Sequence, residues 1–141
     1  MTTWMPVKKL ADNINLPSYA TDGSIGLDLQ VTHDAVCYPG EYVKCHTGLA
    51  IELPTNHVGM ICNRSSLSLR GLQVGGGIID PDYRGEVVVI LNNIGTDTLV
   101  INEGERVAQL LVLPVAKVNM YPVDELSTTE RNAGGFGSTG R

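Results

Sequence analysis

Residues 74–87 read VGGGIIDPDYRGEV, and what this stretch builds decides the fold around it. Gly75, Gly76 and Gly77 let another molecule lie against bare backbone, and the β-branched Ile78 and Ile79 then demand an extended, half-buried path. Asp80 stands at the end of that path, so a carboxylate is aimed from a stiff element. Pro81 fixes a turn in which Asp82 can hydrogen-bond, Tyr83 supplies a flat ring, and Arg84 and Gly85 lead into the apolar run from Val87 to Leu91. The expectation is a β-hairpin with a pocket at its mouth. The alternative is an ordinary hairpin whose glycines serve only a bulge or turn.

Working outward, short β-type segments separated by Gly, Pro, Asn or Asp recur along the chain: Leu27 to Val31, Tyr42 to Leu53, Val58 to Cys62, Val74 to Ile79, Glu86 to Leu91, Leu99 to Ile101 and Arg106 to Val112. No long helical period competes with them. Val87 to Leu91 is apolar at consecutive positions, which suits a strand covered on both faces in a sandwich, a jelly roll or a subunit interface. An all-β, oligomeric domain is expected, its core ending near Val118 to Val123.

The chain has 141 residues, enough for one domain with a real core and too few for two ordinary ones. No apolar run approaches the length of a membrane span, and the N-terminal MTTWMPVKKL lacks the layout of a secretion signal. An intracellular setting, cytoplasmic or nuclear, is the expectation. Cys37, Cys45 and Cys62 have no metal-ligand spacing and are odd in number, so they are expected to be packed thiols. A net charge of −5 disfavours broad attraction to nucleic acid or to an anionic membrane. A highly anionic ligand would therefore need local arginines, backbone N–H groups and a divalent cation.

Three polar clusters stand out before the C-terminus. In TDGSIGLDL, residues 21–29, Asp28 sits between leucines at a strand start, where its charge needs a partner or a cation. It is either a carboxylate facing a metal or a strand-edge Asp satisfied locally. In NRSSLSLRG, residues 63–71, either Ser65 or Ser66 could N-cap a short helical turn that Gly71 ends. Such a turn presents N–H groups to an anion, and Arg64 adds a planar fork suited to phosphate; a solvated capping turn is the alternative. In GERVAQLL, residues 104–111, Gln109 interrupts an apolar strand and is a candidate ligand or water holder, or a structural hydrogen-bonding group.

The tail, residues 130–141, reads ERNAGGFGSTGR and is too glycine-rich to fold alone. It nevertheless carries the chain's one phenylalanine, Phe136, where no local core could bury it, with two hydroxyls and two flanking arginines. Stacking on a base combined with contacts to phosphate would use all of these residues. A closing lid accounts for them better than an idle tail.

Together, ATDGSIGLDL, NRSSLSLRG, GGGIIDPDYRGEV, GERVAQLL and RNAGGFGSTG resemble, in order and over nearly the whole chain, the five motifs of the trimeric deoxyuridine triphosphate nucleotidohydrolases, the dUTPases. The resemblance implies a jelly-roll β-barrel or sandwich subunit with one short helix. It also implies a homotrimer with active sites shared between subunits, residues 1–123 forming the catalytic domain and 124–141 a flexible arm that closes a site. The implied reaction is Mg²⁺-dependent hydrolysis of dUTP to dUMP and pyrophosphate by water attack at the α-phosphate, which keeps uracil out of DNA and supplies dUMP for thymidylate synthesis. Asp80 matches the aspartate that activates the water, and Tyr83 the ring that packs on the sugar and excludes a ribose. The backbone around Gly77 should read the uracil edge. Arg64, Ser65, Ser66 and Gln109 match the phosphate-contacting set, and Asp28 the carboxylate that holds Mg²⁺ through water. Arg131, Phe136, Gly137, Ser138 and Thr139 match the arm, with Phe136 stacking on the base.

The chain departs from the family pattern in places. Asn63 and Ser66 stand where the second motif usually has proline and glycine, and Asn132 replaces a glycine after Arg131, which Asn tolerates if a positive φ is needed there. Val74 stands where some members have an asparagine that reads uracil, so base recognition should be mainly by backbone. Two rivals are a dCTP deaminase on the same fold and a nucleotide-binding or regulatory jelly-roll protein without catalysis.

Overall fold

A computed structural model describes residues 3–140; Arg141, one of the two arginines flanking the tail, lies outside them. Ten strands and one helical turn form two four-stranded antiparallel sheets and a two-stranded ribbon. The first sheet runs β1 (Val7–Lys9), β4 (Tyr42–Ile51), β8 (Glu86–Asn93), β6 (Leu72–Gly75). The second runs β2 (Leu27–Gln30), β10 (Arg106–Pro114), β5 (His57–Cys62), β7 (Ile78–Ile79), while β3 (Ala35–Cys37) pairs with β9 (Leu99–Ile101). The expected all-β jelly roll with one short helix is what the chain forms, its helix being α1 (Ser65–Ser68).

The strand period explains the core. Along β8, Val87, Val89, Leu91 and Asn93 are buried while Glu86, Val88, Ile90 and Asn92 are half-buried, so its inner face packs Leu72 of β6 and faces Leu29 and Leu110 of the other sheet. Each such Leu or Val contributes roughly 1.5–3 kcal/mol on leaving water. In β4 the register shifts between His46 and Ala50, and Gly48 there has φ +69 with the Ile14 side chain against its bare Cα. The bulge buries every residue from Thr47 to Ile51. Two buried polar groups are satisfied: the Thr47 hydroxyl donates to the Val87 carbonyl (2.6 Å), and the Asn93 amide donates to Cys37 and Asp97 carbonyls while accepting from Gly95 N–H.

Three expectations need correction. The run from Val74 to Ile79 is not one strand: Gly76 (φ +68) and Gly77 (φ +100) break it, leaving β6 in the first sheet and carrying β7 into the second. β6 does pair with β8 in antiparallel fashion, but the connection crosses the sandwich on the way, so the hairpin's mouth spans both sheets. Neither serine caps α1. Arg64 occupies the N-cap position with no side-chain cap, and Gly71 at φ +91 follows the turn's end as expected. Strands β1 and β3 went unread because each has only three residues and takes its conformation from a neighbour, β4 and β9 respectively.

The cysteines are free thiols, as expected; burial pushes Cys45 up to about 11 and raises Cys37 as well, which keeps both in the unreactive form. Among the described residues no helix is long and apolar enough to cross a membrane. Beyond β10, Val115 N–H still bonds the Asn56 carbonyl, but every residue from Leu113 to Ala133 is exposed, including Val118, Met120, Tyr121 and Leu126. Extended apolar chain of this kind has no counterpart to bury it within one subunit.

Candidate active site

The second sheet's ladder aligns the first group of candidates. Gln109 of β10 pairs with Asp28 of β2 on one side and with Cys62, at the end of β5, on the other. The chain then leaves β5 through Asn63 into α1, so Arg64, Ser65 and Ser66 arrive beside Asp28 and Gln109. These five residues line one cleft of about 490 Å³ together with Ala20, Gly23, Ser24, Ile25 and Gly26. Three motifs that are distant in sequence are thereby brought together.

Asp28 is paired from two sides. The Arg64 Nε lies 3.3 Å from Asp28 Oδ1, and Arg106 Nη1 lies 3.4 Å from Asp28 Oδ2. Arg106 reaches Asp28 from the neighbouring cavity, so the charged groups lining the cleft itself are Arg64 and the mostly buried Asp28. Arg64 Nη1 also donates to the Arg106 carbonyl at 2.9 Å, which fixes the guanidinium plane and leaves its remaining N–H groups for an anion. The first N–H groups of α1 have no partner inside the turn, and no side chain caps them. Gln109 donates from Nε2 to the Asn63 carbonyl at 2.9 Å, and its amide oxygen lies over the bare Cα of Gly26.

Arg106 was missed by sequence reasoning. On a regular strand it would face away from Gln109, three positions on, but the register shift between Arg106 and Ala108 turns both toward Asp28. Only the bulge carries that signal, and it is not written in GERVAQLL. A neighbouring cavity of about 500 Å³ lies on the far side of Asp28, between residues 13–18 and Arg106, and contains no part of α1.

Gly77, Asp80 and Tyr83 form a second group. The Gly77 carbonyl accepts from Ile61 N–H at 2.7 Å, and a Cβ at Gly77 would lie 2.8 Å from the Ile61 oxygen. Gly76 has open space on its side, so a ligand can approach its backbone. Ile79 is buried against Gly59 and anchors the next residue, Asp80, whose side chain is exposed and belongs to none of the ion pairs among the described residues. A turn closes behind it, with Tyr83 N–H bonded to the Asp80 carbonyl (3.1 Å) and Arg84 bracing the Pro81 carbonyl (2.6 Å). The Tyr83 hydroxyl donates to the Glu86 carbonyl at 2.8 Å, and the ring lies against Gly85, where a Cβ would collide with it. That pins the ring with one face outward.

One chain does not unite the two groups. Three strand spacings, about 14 Å, separate β2 from β7. Asp80 follows the Ile79–Gly59 pair while Gln109 faces Cys62, a further displacement along β5 of about 10 Å. The arm forms a third group that touches neither. Thr129 and Asn132 exchange side-chain-to-backbone bonds at 2.9 Å, Asn132 has φ +43 as its tolerance for that region allows, and Arg131 Nε donates to the Gly134 carbonyl. Phe136 is fully exposed at φ +53, Gly137 follows at φ +82, Ser138 N–H bonds the Gly135 carbonyl, and Thr139 is exposed.

No group of three or more His, Cys, Asp or Glu among the described residues could cage a metal ion. Asp28 is the one carboxylate lining the cleft and both of its oxygens already face arginines, so it could hold a cation only through water, with the oxygens of a bound polyphosphate as the other ligands. The donor set thus fits a metal that arrives with its substrate.

A jelly roll with an arginine- and serine-lined cleft and a separate exposed carboxylate suits a class of enzymes that act on anionic substrates. Comparison with known proteins narrows it. The dUTPase family profile matches residues 12–140. A deoxyuridine 5'-triphosphate nucleotidohydrolase from Hydrogenobaculum sp. (strain Y04AAS1) is 49% identical over 95% of this chain and 96% of its own, and one from Clostridium tetani is 41% identical over 97% of each. The solved Staphylococcus bacteriophage 80alpha dUTPase with dUPNHPP superposes at TM-score 0.92 with 27% identity, covering 99% of this chain and all of that one. The chain belongs to the dUTPase family.

Proposed function

We propose that the chain hydrolyses dUTP to dUMP and pyrophosphate through water attack at the α-phosphorus. The observation that carries this is the convergence of the 20–28 segment, residues 64–66 and Gln109 on one cleft that presents the Arg64 guanidinium and the uncapped start of α1, with a glycine segment and a pinned tyrosine toward the opposite end of the same sheet. Arg64, Ser65, Ser66 and Gln109 hold the phosphate chain and its water. Asp80 takes the proton of the attacking water; being exposed and outside the ion pairs, it is free to do so. The open backbone at Gly76 and Gly77 reads the base edge, and the outward face of Tyr83 packs on the sugar where a 2′-hydroxyl would clash.

The assembly is a homotrimer. Two groups of site residues at opposite corners of a sheet, a half-buried outer face of Val88 and Ile90 on β8, and an apolar extended segment from Val115 to Leu126 all support a site completed between copies. Residues 1–123 are the catalytic domain and 124–141 the arm, whose exposed Phe136 stacks on uracil while Arg131, Gly137, Ser138 and Thr139 clamp the terminal phosphate. Mg²⁺, bound along the triphosphate and held through water by Asp28, would neutralise charge that the chain's own side chains do not. A reaction that draws on the nucleotide pool fits an intracellular setting, and the net charge of −5 disfavours broad attraction to nucleic acid.

The test is pyrophosphate release with Mg²⁺ from dUTP beside dCTP, dTTP and UTP, with ammonia assayed on the dCTP sample. Release from dUTP alone is expected. Ammonia from dCTP would move the assignment to the deaminase rival, and silence on every nucleotide would leave a binding role.

A further inference from the structure

Residues 129–132 close a ring of their own within the arm. Asn132 Oδ1 accepts from Thr129 N–H at 2.9 Å, and Thr129 Oγ1 accepts from Asn132 N–H at 2.9 Å. Two side chains and two backbone groups are thereby paired reciprocally, with Glu130 and Arg131 held between them. The following turn is tied to the same segment, since Gly134 N–H bonds the Arg131 carbonyl at 2.9 Å and Arg131 Nε donates to the Gly134 carbonyl at 2.7 Å. The core lends none of these bonds: every residue from Leu113 to Ala133 is exposed, and the partners all lie within the arm. The glycine usual in the family at position 132 permits a positive φ but offers no acceptor, whereas Asn132 takes φ +43 and supplies its Oδ1. This chain therefore holds its arm by one hydrogen bond that a glycine there does not allow.

We propose that Asn132 is a positioning residue: with Thr129 it shapes the arm before substrate arrives and so presets the backbone that carries Arg131. It acts through Arg131 and not on the nucleotide. Closing a glycine-rich arm over a substrate costs the conformational freedom of each residue that becomes ordered. A segment already bent by two reciprocal bonds loses less of that freedom, so closure is favoured without any added contact to the nucleotide. The ring lies wholly inside one arm, and its effect is the same whether that arm closes over its own chain or over a neighbouring copy. The inference rests on the dUTP reading above, in which Arg131 clamps the terminal phosphate.

The test uses the full chain with Asn132→Gly, which keeps the positive φ and deletes the acceptor, with Thr129→Val, which deletes the hydroxyl, with Thr129→Ser, which keeps it, and with Asn132→Gly and Thr129→Val combined. For dUTP, kcat/KM should fall by about threefold to tenfold in Asn132→Gly, the range of one net hydrogen bond, while Tm stays at the parent value because the ring packs on no core residue. Thr129→Val should show a similar loss and Thr129→Ser should stay within about twofold of the parent. The combined variant should lose less than the product of the two single losses, because each bond holds the ends that the other closes. Unchanged kcat/KM in Asn132→Gly, a loss that tracks a fall in Tm, equal impairment in Thr129→Ser and Thr129→Val, or independent losses in the combined variant overturns the proposal. Nitrogen relaxation of the backbone amides, measured without nucleotide, should find residues 129–132 more ordered in the parent than in Asn132→Gly, and equal mobility overturns the preset ring. A parent chain that leaves dUTP intact overturns the functional reading itself and is told apart by failing before any substitution, while the relaxation comparison, which needs no turnover, still reads the ring.

Discussion

At the scale of single residues, Asp80 and Glu86, at the two ends of one turn, have opposite surroundings. Asp80 is exposed and outside the ion pairs among the described residues, which suits the proposed proton acceptor. Asp80→Asn keeps its size and removes that capacity, so kcat should fall by at least about 100-fold while a non-hydrolysable dUTP analogue still binds; calorimetry beside turnover separates the two, and near-normal turnover would remove Asp80 from the mechanism. Glu86 is instead a structural group. Burial alone would raise its pKa, but the His46 ring at 2.9 Å, the Gly48 N–H at 2.9 Å and the more distant His33 outweigh burial and hold it below the ordinary 4.5. A carboxylate depressed on folding contributes stability above pH 4.5, and that contribution is lost as pH falls through the lower folded value. Urea midpoints followed at fixed protein concentration from about pH 6 to about pH 3 should therefore drop more steeply in the parent chain than in Glu86→Gln.

At the scale of elements, the crossing from β6 to β7 is where the proposed base recognition falls, and its two positive-φ glycines serve different needs. A Cβ at Gly77 would meet the Ile61 oxygen at 2.8 Å, whereas at Gly76 it would meet nothing within 4 Å. Gly77→Ala should thus cost about 1–3 kcal/mol of stability as well as binding. Gly76→Ala carries the strain of φ +68, on the order of 1 kcal/mol, but places its methyl where the ligand approaches, so KM should rise out of proportion to the fall in Tm. Thermal unfolding and dUTP kinetics on the pair decide this, and equal KM changes would count against the open face at Gly76. The same crossing marks what was legible beforehand. Glycine type and β-branching announced an extended path ending at Asp80, and alternation announced β8, because both are local properties of residues 74–91. That the path changes sheets was not legible, since it depends on Ile61 offering its N–H from a strand far away in sequence. Arg106 escaped for the same reason: a bulge, not a residue type, turns it toward Asp28. The α1 cap was misread because serine's preference for N-caps yielded to the geometry that Arg64 acquires from Asp28 and the Arg106 carbonyl.

At the scale of the whole molecule, the separation of the site residues makes a prediction that does not depend on any one of their roles. Asp80 lies at one corner of the second sheet, the Arg64 cleft at the other, and among the described residues the arm bonds only within itself from Thr129 to Gly140. If each site takes Asp80 from one copy and the arm from another, two defects carried on different chains can complement each other. Asp80→Asn and a chain truncated before Arg131 should each be nearly inactive alone, the second because only the closing lid is lost and the fold is kept. Unfolded together, mixed in equal amounts and refolded, they form mixed trimers. A given site then works when the copy supplying Asp80 is the truncated chain and the copy supplying the arm is the Asp80→Asn chain. With random assortment each condition holds half the time, so about one quarter of the sites, and about one quarter of the parent kcat per site, should return. A site contained within one chain allows no such recovery, because each chain keeps its own defect whatever its neighbours. Sedimentation of the refolded mixture verifies that trimers have formed, and a trimeric mixture without activity would confine the arm to the copy that carries the Asp80 it closes over.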